Sequence, residues 1–534
     1  MIELSQARTQ RLLAVHGWSG TVLGLFLYVV VLTGTIAVLA HEIGAWSAGG
    51  QTLDEPFSVP VDTLIREQVE SSNEAWREEI GIFGSVSGNI RIWMHEHATN
   101  PESGNTEDYG RLVEINPVSG DVVNDVEGWS GEVFGNNPIS ALEDFIVELH
   151  VNLHLPHPWG LYATGILGFI MLLAAVTGLL IHRHLIREAF LAPRLKGALL
   201  TKRDRHVLAG TWSLVFAFVL AFTGAFFSFA ISLALPVVAA TGFDGDQEAV
   251  IETLLGVPVP EDTTAVELAN LDEMAATVKG EAYSGVAGYS VSNWGRADAR
   301  VVVNTYPAEG SMSGKQYSFE GATGHFLGEK ALVGTAPSVG GAALALMGPL
   351  HFGSFAGLLS KFVWVALGIA MTYVTYTGMQ LWVQRRSDEP LWRGFGHWLM
   401  IVGIGTPFAL TLCAHTFFAA LGGGGDAYAW TAWGFVGASA FALLLGVILQ
   451  KRTVAAENLL IWGLAFLLAT LPLTRLLSGG TGWPSAIQNG DLVIVGMDVL
   501  MLVSAFFVAL WRSSILRKLV TQAGLPIVER STAT

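Results

Sequence analysis

A histidine followed by an apolar run that ends in Thr-Gly occurs twice in this chain of 534 residues, and the two copies constrain its architecture. His16 leads to Thr33-Gly34 and His206 leads to Thr223-Gly224, a spacing of 17 positions in both halves. A second mark follows each: Leu149-His150 leads to Thr177-Gly178, and Leu350-His351 leads to Thr377-Gly378. An internal repeat defines the supersecondary unit of a fold. The first 386 residues therefore read as one unit of helix, loop and helix used twice, with four imidazoles at equivalent ends of four helices.

Those helices belong in a bilayer. A content of 51% hydrophobic and 14% charged residues excludes an ordinary soluble domain. Eight apolar stretches are long enough to cross ~30 Å of hydrocarbon at about 1.5 Å per residue: roughly 17–40, 158–181, 207–234, 355–383, 397–421, 430–449, 456–477 and 491–511. The first is too long for the core of a signal sequence and runs on into His41-Glu42, so it is retained as a helix. Arginine and lysine concentrate in the 182–206, 384–396 and 450–455 loops and in the tail, all on one side if the helices alternate. Both termini are then cytoplasmic. The acidic loops at about 42–157 and 235–345 lie outside and carry most of the net charge of −16, which disfavours nucleic acid as a partner. Cys413 is the single cysteine, so an intrachain disulfide, a cysteine-ligated iron–sulfur cluster and a covalent haem attachment are excluded.

The two long loops read as folded α+β modules. Residues 112–123 and 317–327 alternate apolar and polar side chains around Pro-Val-Ser-Gly and Gly-Ala-Thr-Gly turns, which is hairpin chemistry. Segments 60–80 and 261–280 are expected to contain helices. From about residue 397 the repeat stops, and four helices with short connections form an added membrane domain.

The ordered set His16-Gly17-Trp18-Ser19-Gly20, Thr33-Gly34, Asn116-Pro117-Val118-Ser119-Gly120-Asp121, Glu148-Leu149-His150 and Thr177-Gly178 has second-half counterparts. These are Arg205-His206, Thr223-Gly224, Pro349-Leu350-His351-Phe352-Gly353 and Thr377-Gly378-Met379-Gln380-Leu381-Trp382. Together they resemble the PepSY-associated transmembrane-helix family, which includes inner-membrane ferric-siderophore reductases. The resemblance covers residues 10–386 and leaves 397–534 outside. It implies two non-covalent b-type haems in a four-helix core and electron passage to an external ferric chelate. The expected order is a first transmembrane helix (1–41), a PepSY-like module (42–157), helices two and three with their cytoplasmic loop (158–234), a second PepSY-like module (235–345), and helix four (346–386). The four-helix addition (397–511) and a cytoplasmic tail (512–534) follow. The whole is a polytopic α-helical membrane protein of about eight spans.

With alternating topology, His16 and His206 share the cytoplasmic end, and His150 and His351 share the outer end. One bis-histidine pair on each side of the membrane follows. Neutral imidazoles at both axial positions leave no open coordination site, which suits electron transfer. The Thr-Gly pairs read first as places where helices approach closely, with Thr bonding back to its own helix; a planar macrocycle needs the same clearance. Arg183 and Arg205 are candidates for haem propionates and equally topology signals. His41 and His154 compete with His150 as outer ligand. His397 and His415 share a face ~27 Å apart along one helix, without a later histidine as partner. His95 and His97 suit one face of a strand, and His182 and His184 suit the cytoplasmic boundary.

These readings converge on an oxidoreductase of the bacterial inner membrane that reduces a periplasmic Fe(III)-siderophore. Reduction loosens a chelate whose hard oxygen donors prefer Fe(III). No flavin or NAD fingerprint is visible, so a quinol or a separate reductase must supply electrons. Trp129, Phe134 and Trp159 are candidate acceptor contacts. The alternatives are a membrane-anchored binding or scaffold protein built on the modules, and a transporter using the added helices and Arg475.

Overall fold

The computed structural model describes residues 5–48, 56–85, 88–101, 104, 106–134, 137–182, 189–190, 192–194, 197–255, 259–279, 285–334 and 336–513. Arg183 and His184 lie outside the described residues. The chain divides into two compact units: residues 1–49, 138–232 and 358–534 form a helical unit, and residues 50–137 and 233–357 form a second unit that contains the sheet. The ends of the first expected module, 42–49 and 138–157, therefore fold with the helices. The Ala40–Ala48 and Ala141–Val151 helices bury Trp46, Leu142 and Ile146 against the added domain, which explains the shift.

Among the described residues, six helices are long and apolar enough to cross a membrane: Trp159–Ile181, Gly357–Gln384, Pro390–Gly423, Ala427–Ile448, Thr453–Leu477 and Leu492–Arg512. Two bent pairs raise the number to eight, if each pair counts as one span. The protein is a polytopic membrane protein. The runs expected at 17–40 and 207–234 are not straight. Gln6–Val22 meets Gly24–Ala37 at 70°, and Ala198–Trp212 meets Leu214–Phe229 at 63°. Sharp bends fall at Gly and Ser, where the helix ladder is easily interrupted. Leu23 (φ −109°, ψ 15°) precedes Gly24 at the first break, and Ser213 (φ −89°, ψ 1°) forms the second. His16 and His206 each lie on the arm before the bend, seven positions from the break residue.

The second unit holds one antiparallel sheet in the order β4-β3-β2-β1-β5-β6-β7-β8. Its strands are β1 Glu79–Gly84, β2 Ile90–Thr99, β3 Thr106–Ile115, β4 Val122–Trp129, β5 Val286–Ser292, β6 Arg300–Thr305, β7 Gln316–Glu320 and β8 Phe326–Lys330. The two expected modules are thus halves of one sheet, joined where β1 pairs with β5 and Ile80 faces Val291. Each half alone would leave a half-covered core and an open edge strand, so joining them buries apolar surface and satisfies two edges at once. Both hairpins form at the expected turns: Gly120 (φ 76°) closes β3 to β4 and Gly324 (φ 71°) closes β7 to β8.

The helices Asp62–Glu70 and Leu271–Lys279 pack on this sheet, and Ile65, Val69, Met274 and Val278 share its core. Each helix takes a cap from the other, and Asn270 also caps Leu271–Lys279. The backbone N–H groups of Val61 and Asp62 donate to the Asp272 carboxylate at 3.0 and 3.2 Å, and the N–H of Leu271 donates to Asp62 at 2.9 Å. A carboxylate at a helix N-terminus satisfies orphan donors and meets the positive end of the helix dipole.

The added helices pack against the Gly24–Ala37, Ala40–Ala48 and Ala141–Val151 helices. Tyr28 donates to the Gly403 carbonyl and Tyr428 donates to Asp144, both at 2.6 Å. Arg475 and Asp498, 1% and 2% exposed, form a buried pair at 2.7 Å. The indole N–H groups of Trp46 and Trp483 each donate to that aspartate at 2.8 Å.

Candidate functional site

The four Thr residues of the Thr-Gly marks all bond back to their own helices: Thr33 to Val29, Thr177 to Leu173, Thr223 to Val219 and Thr377 to Tyr373, at 2.7–2.8 Å. That much matches the packing reading of the sequence. The glycines do something further. Atoms of His150 are the nearest neighbours of a Cβ built on Gly34, His16 those of one on Gly178, and His206 those of one on Gly378. The imidazoles therefore lie over glycines of a neighbouring helix, not over the Thr-Gly that follows them in sequence.

Hydrogen bonds fix the rings. Nδ1 of His16 lies 3.0 Å from the Ala174 carbonyl and 3.2 Å from the Thr177 hydroxyl. A carbonyl only accepts, so Nδ1 carries the proton and donates. Nδ1 of His150 donates to the Val30 carbonyl at 2.9 Å by the same argument. Nδ1 of His206 lies 3.1 Å from the Thr377 hydroxyl, whose own proton goes to Tyr373, so the histidine is again the donor. His16 and His206 are thereby set in the tautomer that leaves the Nε2 lone pair for a ligand. A hydrogen bond at one ring nitrogen is how proteins orient metal-binding histidines.

His16 and His206 come together. Their ring centroids are 6.4 Å apart with the planes at 76°, and neither Nε2 has a hydrogen-bond partner among the described residues. An imidazole nitrogen binds a first-row metal at ~2.0 Å. Adding roughly 1.1 Å from each nitrogen to its ring centre, two rings on one iron have centroids ~6.2 Å apart. Both rings border a cavity of about 980 Å³ whose wall includes Gly178, Gly210, Met371, Val374 and Gly378. The donor set, the spacing and a wall of small and apolar residues fit a bis-imidazole haem.

His351 lies in the last turn of the Met347–Phe352 helix in the sheet-containing unit, its ring 5.4 Å from Phe352 and nearly perpendicular to it. His150 lies in the helical unit. The competitors of His150 have other surroundings: His41 is exposed, and His154 donates from Nε2 to the Phe145 carbonyl at 3.1 Å. His415 has both nitrogens engaged, Nδ1 with Thr474 at 2.8 Å and Nε2 with the Leu467 carbonyl at 2.9 Å. His397 donates from Nε2 to the Gly446 carbonyl at 2.9 Å. His95 and His97 meet carboxylates, Glu79 at 3.4 Å and Asp108 at 2.8 Å, and no metal-ligand cluster of three such side chains exists among the described residues.

Of the acceptor-contact candidates, Trp159 is 69% exposed. Trp129 packs on Tyr109, and Phe134 packs on Phe83 and Trp93. Arg205 is exposed and does not border the His16–His206 cavity, whereas Arg194, Arg203, Arg385 and Arg386 do. Sequence spacing had no means of finding those four, since they come from two segments about 190 positions apart.

The profile of the PepSY-associated TM region matches residues 13–385, from the first bent helix to the end of Gly357–Gln384. The chain belongs to this family. An uncharacterized protein of Pseudomonas aeruginosa is 24% identical over 262 residues, covering 46% of this chain; the chain spans 64% of that relative's length. All four marked histidines fall inside the PepSY-associated region, and the added four-helix segment lies beyond it.

Proposed function

We propose that this chain is an inner-membrane electron-transfer protein that binds two b-type haems and reduces an external ferric chelate, most simply an Fe(III)-siderophore. The observation that carries the reading is the arrangement of His16 and His206: two Nδ1-anchored imidazoles, 6.4 Å apart, bordering a cavity whose wall includes Gly178, Gly210 and Gly378. A haem iron held by two imidazoles supplies one-electron chemistry with no open coordination position. The chain's own part is to hold and tune. Ala174, Thr177 and Thr377 keep the inner rings in the ligating tautomer, and Gly178 and Gly378 give them room. Met371 and Val374 contribute apolar side chains to the cavity wall. A second haem is proposed on His150, whose Nδ1 donates to the Val30 carbonyl.

The acidic net charge favours neutral or cationic ferric complexes over anionic ones. A quinol or a separate reductase is the proposed donor. A transport pathway through Arg475 finds no support, because that guanidinium is closed by Asp498 and the Thr481 carbonyl.

Purified protein should be red, with two haems per chain by pyridine haemochrome. His16→Ala and His206→Ala should each remove the same one. Full haem content in both variants would refute the inner assignment, and a colourless preparation would return the protein to the binding or scaffold reading. Liposomes with a reductant inside, and a ferric siderophore with an Fe(II) trap outside, test the acceptor. Haem that is reduced but never reoxidised by any external ferric complex would leave a relay to some other acceptor.

A further inference from the structure

The inner cavity carries a charge pattern that its imidazoles do not explain. Four arginines and one aspartate border it. Asp204 accepts from Arg194 through both oxygens, at 2.7 and 2.8 Å, so these two charges cancel. Arg386 lies 3.4 Å over the Trp382 ring and donates to the Trp382 carbonyl. Arg203 and Arg385 form no salt bridge among the described residues, although Arg203 also helps to hold the Asp204 carboxyl low. Trp382 also borders the cavity; it is 8% exposed, and its indole N–H is buried without an acceptor. Arginines at this membrane face follow from topology alone. A buried N–H donor left without an acceptor, on a residue of the same cavity wall as two guanidiniums that form no salt bridge, does not, because buried polar groups are ordinarily satisfied.

We infer that the cavity mouth is a dicarboxylate site in which Arg203, Arg385 and the Trp382 N–H hold the two propionates of the haem bound between His16 and His206. The inference rests on the haem reading and goes beyond it by naming what fixes the porphyrin's rotation about the His–His axis. Guanidinium forks suit carboxylates in geometry and charge, and two such cations match two propionates. Arg386, committed to the Trp382 face, braces the indole so that its N–H stays in place. The sequence-derived candidate Arg205 has no part in this mouth.

The test compares haem with its dimethyl ester, in which both carboxylates are blocked. Apoprotein from haem-limited cells is titrated with each porphyrin, and the inner component is the part abolished by His16→Ala. Wild-type protein should bind haem at least tenfold more tightly than the ester at this site. The Arg203→Gln/Arg385→Gln double variant should bind both with the affinity that wild type shows for the ester. Equal affinities for haem and ester in wild type would overturn the propionate site and leave the haem reading intact. Failure of both porphyrins to give a His16-dependent component would overturn the haem reading, and this inference with it.

Discussion

Alanine at Gly34 separates the two roles a Thr-Gly pair can have. A Cβ built there lies 2.6 Å from Cε1 and 3.0 Å from Nδ1 of His150, and its three nearest neighbours are all atoms of that ring. The corresponding distances to Cε1 are 3.2 Å for Gly378 and His206, and 3.4 Å for Gly178 and His16. Ordinary carbon contacts begin near 3.5 Å, so the three rings must withdraw by ~0.9, ~0.3 and ~0.1 Å. His150 cannot retreat that far and keep its 2.9 Å bond to Val30. Overpacking of this kind costs about 1–3 kcal/mol, and losing the bond that orients a ligating histidine costs about 10–100-fold in metal affinity. Gly34→Ala should therefore lose the outer haem and keep the inner one. Gly378→Ala should weaken the inner haem, and Gly178→Ala should retain both. Haem per chain by pyridine haemochrome, with a redox titration to separate the two centres, reads the series. Two full haems with an unchanged spectrum in Gly34→Ala would refute the ring-clearance argument, as would equal loss in Gly34→Ala and Gly178→Ala.

Asp498→Ala should lower stability by about 3–5 kcal/mol, because it strands a buried guanidinium, and an apolar replacement of both Arg475 and Asp498 should recover most of the loss; thermal unfolding in detergent measures both. The Glu79 carboxyl is held below the usual carboxylate range, chiefly by its hydrogen bond with His95 and further by His97. A carboxyl depressed in the folded state contributes stability above its unfolded pKa, near 4, and loses that contribution as pH falls through the lower folded value. The melting difference between wild type and Glu79→Gln should accordingly be present at about pH 6 and shrink progressively as the pH falls below about 4; a difference that grows on acidification would contradict the pairing. His415→Ala should keep full haem content, since both ring nitrogens are already engaged, and a lost haem in that variant would reopen the third-haem assignment.

The membrane spans and both hairpins were legible because they depend on local signals, about 20 apolar residues or a Gly in the left-handed region after Asn116-Pro117. The bends at Leu23 and Ser213 were not, since hydropathy averages over a break that two or three residues create. The partners of His16, His150 and His206 were hidden for a different reason. Spacing along a chain relates His16 to Thr33, but the ring is held by Ala174 and Thr177, and only helix packing brings those residues across. The single sheet was likewise invisible, because nothing in the alternation of β1 or β5 announces a partner more than 200 positions away. The pairing of Arg475 with Asp498 closes a residue that looked like a pathway, and burial of that kind is a property of the packed bundle.

The joint between β1 and β5 also sets a timetable for synthesis. Ile80 pairs with Val291, 211 positions downstream, which a ribosome adding ~5–20 residues per second delivers ~10–40 s later. Throughout that interval the first half-sheet has an unpaired inner edge, and the Asp62–Glu70 helix lacks the aspartate that will cap it. Such an edge is a template for wrong pairing, and two more spans must enter the membrane before the right strand exists. Shielding in the meantime has to come from a chaperone or from the nascent chain's own neighbours. The two halves of this unit have thereby become inseparable: neither, cut away from the other, retains a complete sheet, and the Asp62–Glu70 helix loses the aspartate at its N-terminus.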